Sequence, residues 1–247
     1  DQFIEKIVRL PANAPFQPFA ASPPINLLPA LAKGYMTFGS FNRPNKLSRN
    51  VITLWSRLLR ALPDARMLLG GMPDTGNYES LIMWFAEEGI SRNRLDIHPR
   101  SGMEQYLTLH HQVDICLDTF PYNGGTTTHH ALWMGVPTLT LSGQSMAGRV
   151  GSAILSRVGL QEFAVEHPDD FIAQGLRWAG NLAALADLRA GLRNHLGRSP
   201  LRRPELIAAG LELAVRTMWR RWCSDLPPES FEVSLDDLNI PAVDMTP

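Results

Sequence analysis

Short hydrophobic runs alternate with longer amphipathic stretches along the middle of the chain. Short apolar runs bounded by turn residues are typical of buried strands, and apolar positions repeated every three or four residues are typical of helices. The predicted strands cover 35–41, 65–69 (ended by Gly70-Gly71), 94–97, 113–118 and 137–141, and the predicted helices cover 49–62, 78–88, 102–110, 126–134 and 147–158. This alternation predicts an α/β fold with a doubly wound, parallel, Rossmann-like sheet and right-handed crossovers.

The two ends of the chain have other patterns. Residues 1–33 are rich in Pro, Ala and Phe, which predicts an extended linker without regular structure. Beyond residue 158 the pattern is helical, with stretches at 168–181, 182–196 and 203–222. The segment 224–247 is acidic and weakly periodic, so it is either a strap over another lobe or disordered. We therefore predict a linker (1–33), a domain with extra C-terminal helices (34–223) and a tail (224–247).

Composition narrows the class of protein. The 247 residues are 45% hydrophobic, with a formal net charge of -1 and a pI of about 6.7. This balance argues against a nucleic-acid surface or a polybasic membrane patch. The two cysteines form no disulfide framework, no apolar run reaches transmembrane length, and the start has no signal-peptide pattern. We expect a cytoplasmic protein and, since the chain starts with Asp1, a piece of a longer one.

The most informative stretch is 116–137, with the sequence CLDTFPYNGGTTTHHALWMGVP. It predicts a strand ending at Asp118, a loop through Gly124 and Gly125, and a helix that begins in the threonine run 126–128. Glycines allow close approach of a ligand, hydroxyls donate hydrogen bonds, and a helix start offers unpaired N–H groups and a positive dipole end. This combination favours phosphate binding. The alternative is an ordinary strand-to-helix turn with a helix cap.

Other residues are predicted to lie at the same edge of the sheet, because the carboxyl ends of parallel strands meet there. Lys46 follows the first strand and could neutralise a pyrophosphate, although most lysines are simply solvated. Arg43 could add a second donor or lie on the surface. Gly70 ends the second predicted strand beside the same crevice, where a turn alone would also explain it.

The stretch from Leu117 to Pro137 resembles the O-linked N-acetylglucosamine transferase family, whose members carry tetratricopeptide repeats. More narrowly, it is similar to the C-terminal Rossmann-like half of their GT-B catalytic region, and the similarity runs from about 2–11 to the region of Trp219. The resemblance implies the UDP-sugar-binding half of an inverting, metal-independent glycosyltransferase without a cofactor. The implied donor is a UDP-hexose, most often UDP-N-acetylglucosamine, and the implied acceptor a Ser or Thr hydroxyl on a protein.

The resemblance also implies roles for single residues. Phe41-Asn-Arg-Pro-Asn-Lys46 matches a family motif whose lysine contacts the donor pyrophosphate, so Lys46 is the predicted catalytic residue. Thr126 and Thr127 match paired threonines that contact the phosphates. Tyr106 falls where the family stacks a ring on uracil, or else packs on the sheet, and Ser101 where the backbone reads the base. The predicted UDP-sugar-binding residues are Asn42, Arg43, Lys46, Gly70, Ser101, Tyr106, Gly124, Gly125, Thr126, Thr127, Thr128 and His130.

Two departures from the family pattern keep alternatives open. Gly125 stands where the best-known members have a histidine, and His130 where many relatives have an acidic residue that accepts from the ribose hydroxyls. A lapsed nucleotide-sugar-binding module and a UDP-glucose-using enzyme are therefore alternatives. The resemblance further implies an N-terminal catalytic lobe with the histidine proposed as base, and preceding repeats. We predict no metal site, because no carboxylate or cysteine lies at ligand spacing from His110 and His111.

Overall fold

The computed structural model describes residues 4–11, 15–74 and 78–238. In chain order the strands are β1 (Val8–Arg9), β2 (Thr37–Ser40), β3 (Arg66–Met72), β4 (Leu95–Pro99), β5 (Ile115–Leu117), β6 (Thr138–Leu141), β7 (Ala164–Val165) and β8 (Phe231–Glu232). The α-helices are α1 (Pro29–Lys33), α2 (Arg49–Ala61), α3 (Glu79–Glu87), α4 (Met103–Leu109), α5 (Thr126–Trp133), α6 (Val150–Ser156), α7 (Pro168–Ala179), α8 (Leu182–Arg198) and α9 (Pro204–Cys223).

These elements form two compact units. The first unit comprises residues 1–17 and 196–247, and the second comprises residues 18–195. The predicted boundaries near 33 and 224 coincide with neither end of these units. Within the described ranges, no helix is both long enough and apolar enough to cross a membrane.

The second unit is built on a six-stranded sheet in the order β4-β3-β2-β5-β6-β7. Every neighbouring pair of strands in it is parallel, which confirms the predicted doubly wound sheet. The strand order reverses between β2 and β5, and ligands of such folds bind outside the carboxyl ends of the strands at this switch point. The sequence pattern did not predict β7, because a strand of two residues is too short to show a period.

Strand β3 corrects one predicted boundary. The glycine pair at 70–71 was expected to end this strand, but β3 continues through both glycines to Met72. A Cβ at Gly70 would lie 2.5 Å from the Phe41 ring, and Gly71 has a φ of 76°, with a register shift against β4 between Leu69 and Met72. The glycines therefore serve packing and an irregular register inside the strand rather than a turn after it.

Helix α2 shows why the helical predictions largely agree with the structure. The hydroxyl of Ser48 accepts a hydrogen bond from the Val51 amide at 3.4 Å, as an N-cap residue does. The apolar face of the helix is buried against the sheet, with Trp55 and Leu58 fully inaccessible. A Cβ at Gly175 of α7 would lie 2.7 Å from Leu58, so α2 and α7 pack in close contact.

The first unit joins both ends of the chain. Strands β1 and β8 pair in parallel, and α9 packs on them through a buried cluster of Leu206, Ala214, Val233 and Leu238. The predicted linker 1–33 thus contains β1 and α1, which corrects the expectation that its prolines exclude regular structure. Of the predicted tail, Phe231, Val233 and Leu238 belong to this cluster, and 239–247 lie outside the described residues.

Candidate functional site

The switch point of the sheet brings together the segments after β2 and β5. After β2 the chain passes through Asn42 into a short 3-10 turn, Pro44–Lys46. After β5 it passes through Asp118 and a loop into helix α5, whose N-cap residue is Gly125. Because β2 and β5 are neighbours in the sheet, the two segments meet at one edge.

Helix α5 begins without a side-chain cap. The helix begins within the threonine run, at Thr126, and Gly125 occupies the cap position. The cap residue therefore makes no side-chain hydrogen bond to the first-turn N–H groups, which leaves the N-terminus of this eight-residue helix open to an acceptor. An uncapped helix start with its positive dipole end suits an anionic ligand.

Gly124 lies under a cluster of side-chain oxygens. A Cβ at this position would lie 2.7 Å from the Thr127 hydroxyl, 2.8 Å from the Thr128 hydroxyl and 2.9 Å from the Asn42 carbonyl oxygen. The Thr127 hydroxyl also donates to that Asn42 oxygen at 3.1 Å, which ties α5 to the segment after β2. Gly125 differs, because a Cβ there would meet only Val150 at 3.7 Å. Packing alone therefore requires glycine at 124 but not at 125.

Asp118 is the centre of the buried polar network below this turn. Its carboxylate accepts hydrogen bonds from the Gly124 amide (2.7 Å), the Thr119 amide (2.9 Å), the Asn42 side-chain amide (3.2 Å) and the Thr140 hydroxyl (2.8 Å). Burial raises the pKa of Asp118 to about 6, although these hydrogen bonds lower it. The network holds the turn and the segment after β2 in one geometry.

Lys46 reaches the same turn from the other segment. Its ammonium donates to the Asn123 carbonyl oxygen at 2.7 Å and lies 3.9 Å from the centre of the Tyr122 ring. Partial burial lowers the pKa of Lys46, the charge of Asp118 raises it, and the nearby charge of Arg43 lowers it. The last effect means that two cations stand close together, an arrangement that a bound anion would relieve.

One peptide group connects Lys46 with Asp118. The amide between Asn123 and Gly124 presents its carbonyl oxygen to the Lys46 ammonium and its N–H to the Asp118 carboxylate. In a trans peptide these two groups lie in one plane and point in opposite directions. The buried carboxylate therefore fixes the orientation of the carbonyl that holds the ammonium.

An aromatic corner borders the turn on the side of α4. The Tyr106 ring packs edge-on against Phe41, His110 and His130, and the His110 ring stacks on Phe41 at 3.8 Å. The Tyr106 hydroxyl and the His130 Nδ1 lie 3.3 Å apart, within hydrogen-bond distance. Burial raises the pKa of Tyr106, lowers that of His130, and lowers that of His110 to about 3, so both imidazoles are neutral at pH 7.

The other predicted site residues are distributed unevenly. Arg43 and Thr126 are exposed at the rim of the turn, and Thr128 is buried beneath it. Gly70 lies inside β3 against Phe41, and Ser101 is exposed after β4, which is the edge strand two positions away from β2. The structure thus gathers the residues after β2 and those of the turn, whereas Ser101 follows a more distant strand. The roles of all these residues toward a ligand remain predictions.

Sequence reasoning did not single out three residues of the network. The sequence pattern predicts Asp118 only as the last residue of a buried strand and gives it no role in a network. Tyr122 and Asn123 lie within the recognised stretch but were given no role. Their signal, an aromatic ring and an amide directly before a glycine pair, does not by itself reveal contacts with Lys46.

Two of the cavities in the described part of the chain bear on where a ligand could bind. A gap of about 10 Å³ lies between β2, β5 and α5, so a ligand must bind outside the turn rather than beneath it. A groove of about 800 Å³ in the first unit is lined mainly by apolar side chains, including Trp219 and Trp222, and does not have the anion-binding features of the turn. The described residues contain no group of three or more His, Cys, Asp or Glu side chains that could hold a metal ion.

The sheet and its switch-point turn define the class of protein first. Sucrose-phosphate synthase from Thermosynechococcus elongatus has a similar structure, with a TM-score of 0.51 and 16% identity, covering 77% of this chain and 46% of that one. At this identity the likeness concerns the fold alone. The second unit therefore has the fold of one lobe of a GT-B glycosyltransferase.

Closer relatives specify the family. Residues 28–206 match the family described as glycosyl transferase family 41. A solved O-GlcNAc transferase from Thermobaculum terrenum is 33% identical with a TM-score of 0.72, covering 86% of this chain and 40% of that one. A protein of Oryza sativa subsp. japonica named "Probable UDP-N-acetylglucosamine--peptide N-acetylglucosaminyltransferase SPINDLY" is 35% identical over 231 residues, or 91% of this chain. The chain belongs to glycosyl transferase family 41, the O-GlcNAc transferase family. It spans 25% of the length of the rice protein.

Proposed function

We propose that the second unit binds the UDP part of a UDP-sugar donor, with the diphosphate at the turn 123–126. One observation carries this proposal: the Lys46 ammonium and the uncapped start of α5 reach the same turn from two neighbouring strand ends. Both supply positive charge to one place outside the sheet, and the Asn42–Asp118 network keeps them there. The turn lies at the switch point, where nucleotides bind in this class of fold.

In the proposed reaction this chain is the donor half of an inverting, metal-independent glycosyltransferase. A Ser or Thr hydroxyl of a protein attacks the anomeric carbon of N-acetylglucosamine as the bond to the diphosphate oxygen breaks on the opposite face. UDP leaves with the bonding electron pair, and the Lys46 ammonium and the α5 N–H groups neutralise the charge that develops on it. The name of the rice relative, which gives UDP-N-acetylglucosamine as donor and a peptide as acceptor, supports this choice of substrates.

The remaining parts of the reaction are assigned outside this chain. The chain covers 40% of the solved O-GlcNAc transferase, so we propose that the residue that deprotonates the acceptor hydroxyl and most of the acceptor site lie on an N-terminal lobe. Tetratricopeptide repeats before that lobe belong to the same proposal. The isolated chain is accordingly expected to bind donor and to turn over little of it.

Isothermal titration of UDP against the wild type, Lys46→Ala and Lys33→Ala tests the diphosphate site. Lys33 is the matched control, because its ammonium donates to the Gln112 carbonyl at the opposite, amino end of the strands. A charge-assisted hydrogen bond is worth about 1.5–3 kcal/mol, so Lys46→Ala should weaken UDP binding about 10- to 100-fold. Lys33→Ala should bind like the wild type. Equal affinities for all three proteins would remove Lys46 from the site.

A second candidate concerns the donor. The neutral His130 already pairs with Tyr106. This favours one of two alternatives to the proposal. The donor specificity differs from that of relatives with an acidic residue at this position, or the chain is a binding module that has lost its catalytic role. A thermal-shift screen with UDP, GDP, UDP-N-acetylglucosamine and UDP-glucose tests the donor specificity, because the tighter ligand raises the melting temperature more. The proposal expects UDP-N-acetylglucosamine to raise it most. A larger shift with GDP would contradict the uridine assignment.

A further inference from the structure

Tyr122 has an unusual position for an exposed aromatic residue. Its side chain stands at the rim of the turn, with the residue 57% accessible to solvent, yet the centre of its ring lies 3.9 Å from the Lys46 ammonium. At this exposure the ring contributes little to the core; single exposed rings are ordinary on protein surfaces, and the contact with the ammonium is what distinguishes this one. The contact with the ammonium is the one interaction of the ring that bears on the candidate site.

The base of the ring is held rigidly. The Tyr122 carbonyl oxygen accepts a hydrogen bond from the hydroxyl of the fully buried Thr119 at 2.8 Å. The next side chain, Asn123, donates to the Thr119 carbonyl at 2.8 Å and contacts the Gly151 amide at 3.3 Å. The ring is therefore attached to backbone that the buried network fixes.

The ammonium of Lys46 can form three hydrogen bonds, and two of its directions are occupied. One N–H donates to the Asn123 carbonyl, and the Tyr122 ring covers another side. A ring face attracts a cation most strongly where the cation has lost part of its water, which is the case for the half-buried Lys46. Beyond these two contacts, the ammonium donates to no other group among the described residues.

We propose that Tyr122 is a positioning residue for the donor site: its ring holds the Lys46 ammonium against the Asn123 carbonyl and directs the remaining N–H to the diphosphate. This inference rests on the proposed function, because it assigns a supporting role within the same site. Tyr122 need not touch the ligand. The face of the ring supplies the attraction, so phenylalanine should replace tyrosine whereas an aliphatic or polar side chain should not.

The experiment is a double-mutant cycle with UDP titrations of the complete chain. The proteins are the wild type, Tyr122→Leu, Tyr122→Gln, Tyr122→Phe, Lys46→Ala and the double variant Lys46→Ala/Tyr122→Leu. A cation–π contact of about 0.5–2 kcal/mol corresponds to a loss of affinity of about 2- to 30-fold in Tyr122→Leu and Tyr122→Gln. Tyr122→Phe should bind within about 2-fold of the wild type. Thermal melting should be the same for all Tyr122 variants, since the side chain is exposed.

The double variant separates positioning from direct contact. If the ring acts through the ammonium, Tyr122→Leu costs no further affinity once Lys46 is alanine. Additive losses would assign the ring to the ligand itself and overturn the inference, and so would full affinity of Tyr122→Leu beside a weakened Lys46→Ala. A wild-type chain without UDP affinity would instead remove the proposed function together with this inference.

Discussion

Asp118 shows how one buried residue organises the candidate site at the residue scale. A fully buried carboxylate costs free energy unless hydrogen bonds compensate it, and this one accepts from two amides, one side-chain amide and one hydroxyl. Its pKa of about 6 indicates that burial still outweighs these bonds. The protein retains a costly charge directly below the turn, where it fixes the peptide group that holds Lys46.

The raised pKa of Asp118 gives a prediction for stability against pH. The folded pKa of about 6 lies above the ordinary value of 3.8, so the folded state binds the proton more tightly than the unfolded state. This contribution is complete below the ordinary pKa and is lost as pH rises through 6. Between pH 4 and 7 the free energy of unfolding of the wild type should fall relative to Asp118→Asn by about 2 kcal/mol, most of the effect of this shift. Urea denaturation of both proteins measures this difference, and parallel curves would contradict it.

The residues of the site differ in how far sequence predicts them. Lys46 and Thr127 are visible as a lysine after one strand and a hydroxyl at a helix start, and the structure brings both to the turn. Tyr106 is ambiguous in sequence; its ring packs on Phe41 and His110, and its role toward a base stays a prediction. The role of Asp118 depends on partners after β2, after β5 and within β6, and such long-range contacts leave no local pattern.

At the scale of elements, the two glycines before α5 have separate reasons to be there. Gly124 fits under three side-chain oxygens, whereas Gly125 has room for a methyl group and a φ of -118° that any residue adopts. A functional reason for glycine at 125 would be the close approach of a ligand to the backbone. Packing and binding can therefore be tested separately on neighbouring positions.

Gly124→Ala and Gly125→Ala form a matched pair. Alanine at 124 must displace Asn42 or the threonine side chains, which should lower the free energy of unfolding by about 1–3 kcal/mol and weaken UDP binding. Alanine at 125 should change stability by less than about 0.5 kcal/mol yet still weaken UDP binding, because its methyl group meets the diphosphate. Thermal melting and UDP titration report the two effects. Wild-type affinity in Gly125→Ala would place the diphosphate elsewhere.

The pattern of hydrophobic positions predicts a helix or strand where that helix or strand is long and its pattern is periodic. Helix α2 is found within one residue of its predicted end, since its cap and apolar face are both encoded locally. The end of β3 was predicted too early, because a glycine pair in sequence does not reveal the Phe41 ring that requires it. Strand β7 exists only through its pairing with β6, which no local pattern encodes.

At the scale of the whole molecule, the chain consists of the second unit, which is one lobe, and the first unit, which is made from both ends of the chain. The doubly wound sheet follows from the alternation of strands and helices. The first unit does not follow from any local pattern, because it depends on the pairing of β1 with β8 across most of the chain length. All residues of the turn and its network belong to the second unit.

A charge in the core of the first unit tests whether the candidate site depends on that unit. Val233 is 3% exposed within the cluster on α9, so Val233→Asp buries an unpaired carboxylate and should cost at least about 3 kcal/mol. Leu235→Asp, at a position 46% exposed, is the control and should cost little. We expect a lower melting temperature only for Val233→Asp, with UDP affinity unchanged below that melting temperature. A loss of affinity while the protein is folded would contradict a site confined to the second unit.

The amide between Asn123 and Gly124 has a consequence for how the lobe could respond to its ligand. Since one rigid plane carries both hydrogen bonds, a rotation of that plane would break the bond to the lysine and the bond to the aspartate in the same movement. Intermediate orientations would leave the buried Gly124 N–H without its acceptor and the half-buried Lys46 ammonium without its carbonyl, which makes them costly. The contact of Lys46 with the turn and the contact of Asp118 with the turn are therefore kept or lost together.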